Sequence, residues 1–315
     1  MIGTVDALFA ADEVVVLDGG LATELERRGN DLSDALWSAR LLVDAPDEIV
    51  ESHLSYFRAG ARVAVSASYQ ASFEGFAARG IDRAKATLLL RRSVGLANEA
   101  RERWIAERAP EGHHARPLYV AASIGPYGAS LADGSEYRGD DGLSVARLRA
   151  WHAPRMAALT EAGPDLLALE TIPSVAEGRA LAELLATTDG PPAWLSFSCA
   201  DGTATRSGER VETAFGLAGA TDRIRAIGLN CTAPQHVTEL IGRARAVSDK
   251  PIVVYPNSGE VWDAARRRWV GAGGPRVDVA AARAWVEAGA SLVGGCCRVG
   301  PDRIAELAAA HLERA

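Results

Sequence analysis

The chain has 315 residues, 48% hydrophobic and 24% charged, with a formal net charge of −7 and a pI near 5.5. That acidic balance argues against nucleic acid or an anionic membrane surface as a partner, and no apolar run is long enough to span a bilayer. Nothing at the N-terminus reads as a signal peptide, and the four cysteines are too few for a disulfide framework, so a cytoplasmic protein with free thiols is expected.

Val14-Val15-Val16-Leu17 is a β-branched run that ends at Asp18-Gly19-Gly20, which reads as a buried strand and a turn. A short helix is expected over Ala22 to Arg28. A second runs from Pro46 to Arg58, with Asp47 and Glu48 in its first turn and Gly60 beyond its end. Val63 to Gln70 reads as a strand whose last residues turn polar. Asp82 to Glu107 reads as a long amphipathic helix with Leu88, Leu89, Val94, Leu96 and Trp104 on its apolar side. The alternation continues with a strand from Leu118 to Gly125, a glycine-rich polar loop to Asp141, and a helix from Leu143 to Ala162. Strands follow at Leu166 to Glu170, Ala193 to Cys199, Ile224 to Cys231, Pro251 to Pro256 and Ser291 to Cys297. Helices lie between and after them: Ser174 to Leu185, Glu209 to Ala218, Gln235 to Val247, Val279 to Ala288 and Pro301 to Leu312. A long loop is expected from Asn257 to Arg276.

About eight strand–helix pairs imply right-handed crossovers and a parallel sheet that can close on itself. A doubly wound open sheet would need a phosphate loop after its first strand, and Asp18-Gly19-Gly20-Leu21 lacks the G-x-G-x-x-G spacing. The expectation is α/β, a single (β/α)8 TIM barrel over residues 1–315.

In such barrels the active site lies at the C-terminal ends of the strands. Those ends carry Asp18, Ser68-Tyr69-Gln70, Glu170, Asn230-Cys231, Tyr255 to Asn257 and Cys296-Cys297. Adjacent thiols pair poorly with each other. With Cys231 from the sixth strand they can instead face one Zn²⁺, and three thiolates leave the open fourth position of a catalytic zinc. Cys199 reads as an inert buried thiol. No histidine falls at a strand end: His113 and His114 lie in a polar loop, His53, His152 and His236 in helix patterns, and His311 near the end. That pattern disfavours a histidine-rich metal site and a Ser/His/Asp triad.

Several stretches together carry a specific resemblance. They are Leu17-Asp18-Gly19-Gly20, Ala67 to Ser72, Ser123 to Gly128, Gly134 to Gly139, Leu169 to Pro173, Gly228 to Cys231, Pro256 to Glu260 and Gly294 to Arg298. In this order they resemble the homocysteine S-methyltransferase family, zinc-dependent barrels that methylate a thiol. Val299-Gly300, where a Thr is common, is a small departure beyond the thiols. The resemblance implies Cys231, Cys296 and Cys297 as zinc ligands, with no catalytic residue beyond that site. It also implies Asp18, Gly19 and Glu170 as contacts to the amino acid part of homocysteine; Asn230, beside Cys231, is grouped with them as substrate-binding. The branch most similar uses S-methylmethionine or S-adenosylmethionine, so the expected partners are homocysteine and a sulfonium methyl donor. Selenocysteine and betaine-homocysteine methyltransferases are the neighbouring readings. A binding module with a structural zinc and a metal-free lyase with Glu170 as base are those from other classes. The low aromatic content, 6%, speaks against an aromatic cage for betaine.

Overall fold

The computed structural model describes all residues except 1–3, 11–12, 33–35, 110–115, 140, 264–267, 271–275 and 313–315. His113 and His114 therefore lie outside the described residues. The strands are β1 (Val15–Val16), β2 (Val63–Val65), β3 (Tyr119–Ile124), β4 (Leu166–Ile172), β5 (Ala193–Phe197), β6 (Ile224–Asn230), β7 (Ile252–Tyr255), β8 (Val261–Asp263), β9 (Arg268–Val270) and β10 (Ala290–Val293). The α-helices are α1 (Val5–Ala10), α2 (Leu21–Arg27), α3 (Leu41–Asp44), α4 (Pro46–Arg58), α5 (Phe73–Ala78), α6 (Arg83–Arg108), α7 (Val145–Thr160), α8 (Val175–Thr187), α9 (Val211–Phe215), α10 (Val237–Arg245), α11 (Val279–Glu287) and α12 (Pro301–Ala309).

Eight strands form one parallel sheet in the order β1-β10-β7-β6-β5-β4-β3-β2, and a bridge between Leu17 and Val63 joins its two ends. The fold is the α/β barrel expected from the alternation. The helix starts have local causes. Ser72, Asp82, Ser144, Ser174 and Asp278 each accept, through their side chains, the backbone N–H three residues on, which satisfies an orphan donor of the first turn.

Alternate strand residues point inward. Val15, Leu17, Tyr119, Ala121, Leu166, Ala168, Trp194, Val253 and Leu292 fill the barrel, and Leu8 and Phe9 of α1 pack against the same cluster. The sequence reading has no element at α1; six residues are too few to show a helical period. The outward residues meet the helices in a second, larger core.

Several strands are shorter than read, β2 and β10 the most. β2 stops at Val65, and β10 stops at Val293, so Ser66 to Gln70 and Gly294 to Cys297 turn over the barrel mouth instead of extending the sheet. Gly294 makes that turn possible. A Cβ there would sit 2.7 Å from Leu17 Cβ and 2.8 Å from Asp18 O, where β10 passes the end of β1. Leu88, placed on the apolar side of α6, is exposed, whereas Leu89, Val94 and Leu96 are buried. The expected loop after Asn257 contains the antiparallel hairpin β8–β9. Its short, charge-flanked strands carry little alternation to reveal it.

Candidate active site at the barrel mouth

The thiols converge from β6 and β10, which flank β7. The sulfurs of Cys231, Cys296 and Cys297 all lie within 4.8 Å of one another. Cys231 follows β6 with φ +46°, and Thr171 and Arg298 also take left-handed backbone, at +58° and +67°. Three non-glycine residues in that region at the tops of three strands mark a mouth held under local strain. The structure pairs Cys231 with Cys296, whose Cα atoms are 5.6 Å apart, in the ordinary range for a disulfide. This corrects the expectation of free thiols. The bonded partner of Cys296 is not its chain neighbour Cys297 but Cys231, which lies across a strand. A disulfide and a metal on the same two sulfurs exclude each other, so the metal-holding state is the reduced one.

The donor set fits a thiophilic ion. A tetrahedral ion with bonds of about 2.3 Å sets its sulfurs about 3.8 Å apart, and Cys296 and Cys297 stand 3.9 Å apart. Burial pushes the Cys297 thiol up to about 12, so without a cation it stays protonated. Cys199 lies outside this cluster, buried, its thiol also pushed up to about 12 by desolvation.

Two carboxylates form the floor beside the sulfurs. Asp18 is buried, and its Oδ2 accepts the Val65 N–H at 2.7 Å. Desolvation holds it well above the usual carboxylate range, with the charge of Glu170 adding to the shift. Glu170 accepts hydrogen bonds from Ser123 Oγ and Tyr255, and burial still pushes it up to about 7. Two desolvated acids so close together favour a cation between them. Gly19 and Gly20 share this wall.

Asn230 is placed differently from the expectation. Its Oδ1 accepts from the Thr171 N–H (2.7 Å) and Ser196 Oγ (2.6 Å), and its Nδ2 donates to Thr171 Oγ1 (2.7 Å). Fully buried, it does not line the cavity. It braces the turn after Glu170, because inward positions of neighbouring strands meet there; sequence alone marked only a polar strand end.

A second wall is the loop after β3. Gly134 takes φ +82°, and a single turn of 3₁₀ helix follows over Ser135–Tyr137. Ser135 donates both N–H (2.9 Å) and Oγ–H (2.5 Å) to Asp133 Oδ1. Behind the loop, the Tyr127 N–H donates to Glu177 Oε1 at 2.6 Å, and His152 Nε2 lies 2.8 Å from the same oxygen. Arg155 of α7 is buried and donates to the carbonyls of Gly125 (2.7 Å), Ser68 (2.6 Å) and Tyr69 (2.7 Å). It ties the ends of β2 and β3 together and fixes Tyr69. Tyr137 donates to the Cys297 sulfur, so the loop reaches the thiols. The sequence reading missed Ser123 and Arg155. Neither carries a local signal; each matters only through a neighbour on another element.

These walls enclose a cavity of about 410 Å³, within the usual range for a small-molecule site. Its lining carries six carboxylates, from Asp18, Glu26, Asp31, Asp133, Glu136 and Glu170, and no Lys, Arg or His among the described residues. Tyr69, Tyr137 and Tyr255 supply its aromatic surface, more than the composition led one to expect. Such a cavity attracts cations and repels polyanions.

Residues 15–311 match the family model described as homocysteine S-methyltransferase. The chain is 47% identical over 296 residues to homocysteine S-methyltransferase YbgG of Bacillus subtilis, covering 94% of each chain. It is 46% identical over 304 residues to homocysteine S-methyltransferase of Escherichia coli, covering 96% of this chain and 97% of that one. Among solved structures it is similar to the metallated form of homocysteine methyltransferase MmuM from Escherichia coli. The TM-score is 0.82 at 45% identity, covering 94% of this chain and 96% of that one.

Proposed function

Because the chain belongs to the homocysteine S-methyltransferase family and is a methyltransferase, we propose that it moves a methyl group from S-methylmethionine to the thiol of L-homocysteine. The observation that carries the reading is the juxtaposition of a three-sulfur cluster with a cavity walled by carboxylates. A Zn²⁺ held by Cys231, Cys296 and Cys297 would act as a Lewis acid and lower the acceptor thiol's pKa from its ordinary value of about 8.5.

The protein's own side chains supply the rest. Asp18 and Glu170 face the acceptor's ammonium, and the charge-assisted bonds set its depth against the sulfurs. Ser123 and Tyr255 hold the Glu170 carboxylate in place, so it need not reorganise when the substrate binds. Alignment of the two sulfur centres is the larger contribution, and positioning of this kind supplies about 7–11 kcal/mol in favourable cases. The balance is simple: one C–S bond breaks at the sulfonium, one forms at the acceptor sulfur, and the thiol proton leaves. Both sulfur compounds end as methionine. The acidic lining supports a cationic donor and speaks against a polyanionic one.

Methionine formation by reduced, zinc-supplied protein tests the reading, with homocysteine and either S-methylmethionine, S-adenosylmethionine or betaine. The expected order is S-methylmethionine first, S-adenosylmethionine weaker, betaine little. Betaine as the fastest donor would overturn the donor assignment, and no methionine from any donor would overturn the activity.

A further inference from the structure

The six carboxylates of the cavity are not equivalent. Asp18 is occupied by the Val65 N–H, Glu170 by Ser123 and Tyr255, and Asp133 by Ser135 and Arg138. Glu26 and Asp31 are exposed, Glu26 facing the charge of Arg298 and Asp31 lying beside Arg40, which donates to its carbonyl. Glu136 differs: it lines the cavity, and its Oε2 is buried with no hydrogen-bond partner, so turning that oxygen toward a ligand breaks no hydrogen bond. A buried carboxylate oxygen left unpaired is costly, and a ligand that donates to it removes that cost.

The loop holds Glu136 in place. Ser135 is pinned to Asp133, and the Gly128 backbone packs so closely that a Cβ there would stand 2.7 Å from Glu136 N. Tyr137, the next residue, reaches Cys297, and the charge of Glu136 acts on the same thiol, so Glu136 enters the cavity near the sulfurs.

Resting on the donor reading above, we infer that Glu136 binds the α-ammonium group of the methyl donor and thereby selects donors that carry one. The choice of ammonium over sulfonium follows from chemistry. An unpaired carboxylate oxygen calls for an N–H donor, and a sulfonium centre has none. A sulfonium is attracted to the acidic wall as a whole, whereas only an ammonium can satisfy this oxygen. Betaine, with a quaternary nitrogen, has no such hydrogen either. Glu136 thus provides the discrimination that neither net charge nor aromatic content supplies, because three tyrosines already offer any onium ion a surface.

The test compares S-methylmethionine with its desamino analogue, 4-(dimethylsulfonio)butanoate, in the reduced, zinc-supplied wild type and in Glu136→Gln. The wild type is expected to prefer S-methylmethionine by about 10- to 100-fold in kcat/KM, the range of a charge-assisted hydrogen bond. In Glu136→Gln that preference should collapse through loss on S-methylmethionine alone, with the homocysteine KM and zinc content unchanged. A fall on both donors would reduce Glu136 to a structural residue. No change on either donor, or a wild type indifferent to the amino group, would also overturn the assignment; the wild-type comparison needs no variant to fold. A wild type that uses neither sulfonium would remove the donor reading itself, and this assignment with it.

Discussion

The two walls of the cavity are built on opposite plans. The floor stands on strand ends, where Asp18 and Glu170 are buried and already bonded to Val65, Ser123 and Tyr255. The other wall stands on a loop, where Glu136 keeps an unpaired oxygen. A carboxylate held by protein donors offers a charge at a fixed place and keeps lone pairs for a substrate; one with a wholly unpaired oxygen also offers a specific vacancy for a hydrogen. The first suits a group whose depth must be set against the sulfurs. The second suits a choice between ligands of equal charge.

The largest expected effect lies where both walls meet. In reduced protein, Cys231→Ser, Cys296→Ser and Cys297→Ser should each lower bound zinc and cut methionine formation by more than about 100-fold, since one lost ligand breaks a three-sulfur site. Cys199→Ser, outside the cluster, should keep both. Full activity in Cys297→Ser would mean that the walls do not converge on a metal.

Glu170→Gln should mirror Glu136→Gln. It is expected to raise the homocysteine KM by about 10- to 100-fold, leaving zinc content and the S-methylmethionine KM unchanged. If both walls respond to both substrates, the division between them fails.

The floor should also respond to pH. Glu170 sits near 7 because burial disfavours its charge, so it is mostly ionised at pH 8 and mostly neutral at pH 6. A substrate ammonium prefers the ionised form. Methionine, which lacks a titrating thiol, should therefore bind about tenfold more weakly at pH 6 than at pH 8. Calorimetric titration reads this directly; Glu170→Gln should remove its share of the profile, and Glu136, which burial also pushes up to about 7, accounts for the remainder. Tighter binding at pH 6 would reverse the sign and exclude Glu170 as the ammonium partner.

The smallest effect concerns the loop. Gly128→Ala would press a methyl group against Ser135 and Glu136. A loss of about 3- to 10-fold in kcat/KM for S-methylmethionine is expected, with the homocysteine KM unchanged, as overpacking shifts the loop. An unchanged donor preference would show that the position of Glu136 is not critical.

The same contrast explains what could be read in advance. Apolar runs ending in polar residues fixed the strand tops, and with them Asp18, Glu170 and Cys231, because periodicity is a local property. Adjacent thiols after Gly294-Gly295 were legible for the same reason. The pairing of Cys231 with Cys296 was not, since it depends on the separation of two strands across a third. Asn230 carried the right polarity for a ligand contact, yet its amide is used by Thr171 and Ser196. The role of Glu136 was hidden most deeply. Its loop read as polar and glycine-rich, and an unpaired oxygen exists only once every neighbour is in place.

X-ray absorption at the zinc edge, on reduced protein before and after homocysteine, tests the central claim most directly. Three sulfur neighbours at about 2.3 Å with one lighter atom are expected before, and four sulfurs after. Four sulfurs in the protein alone, or no change on adding homocysteine, would contradict it.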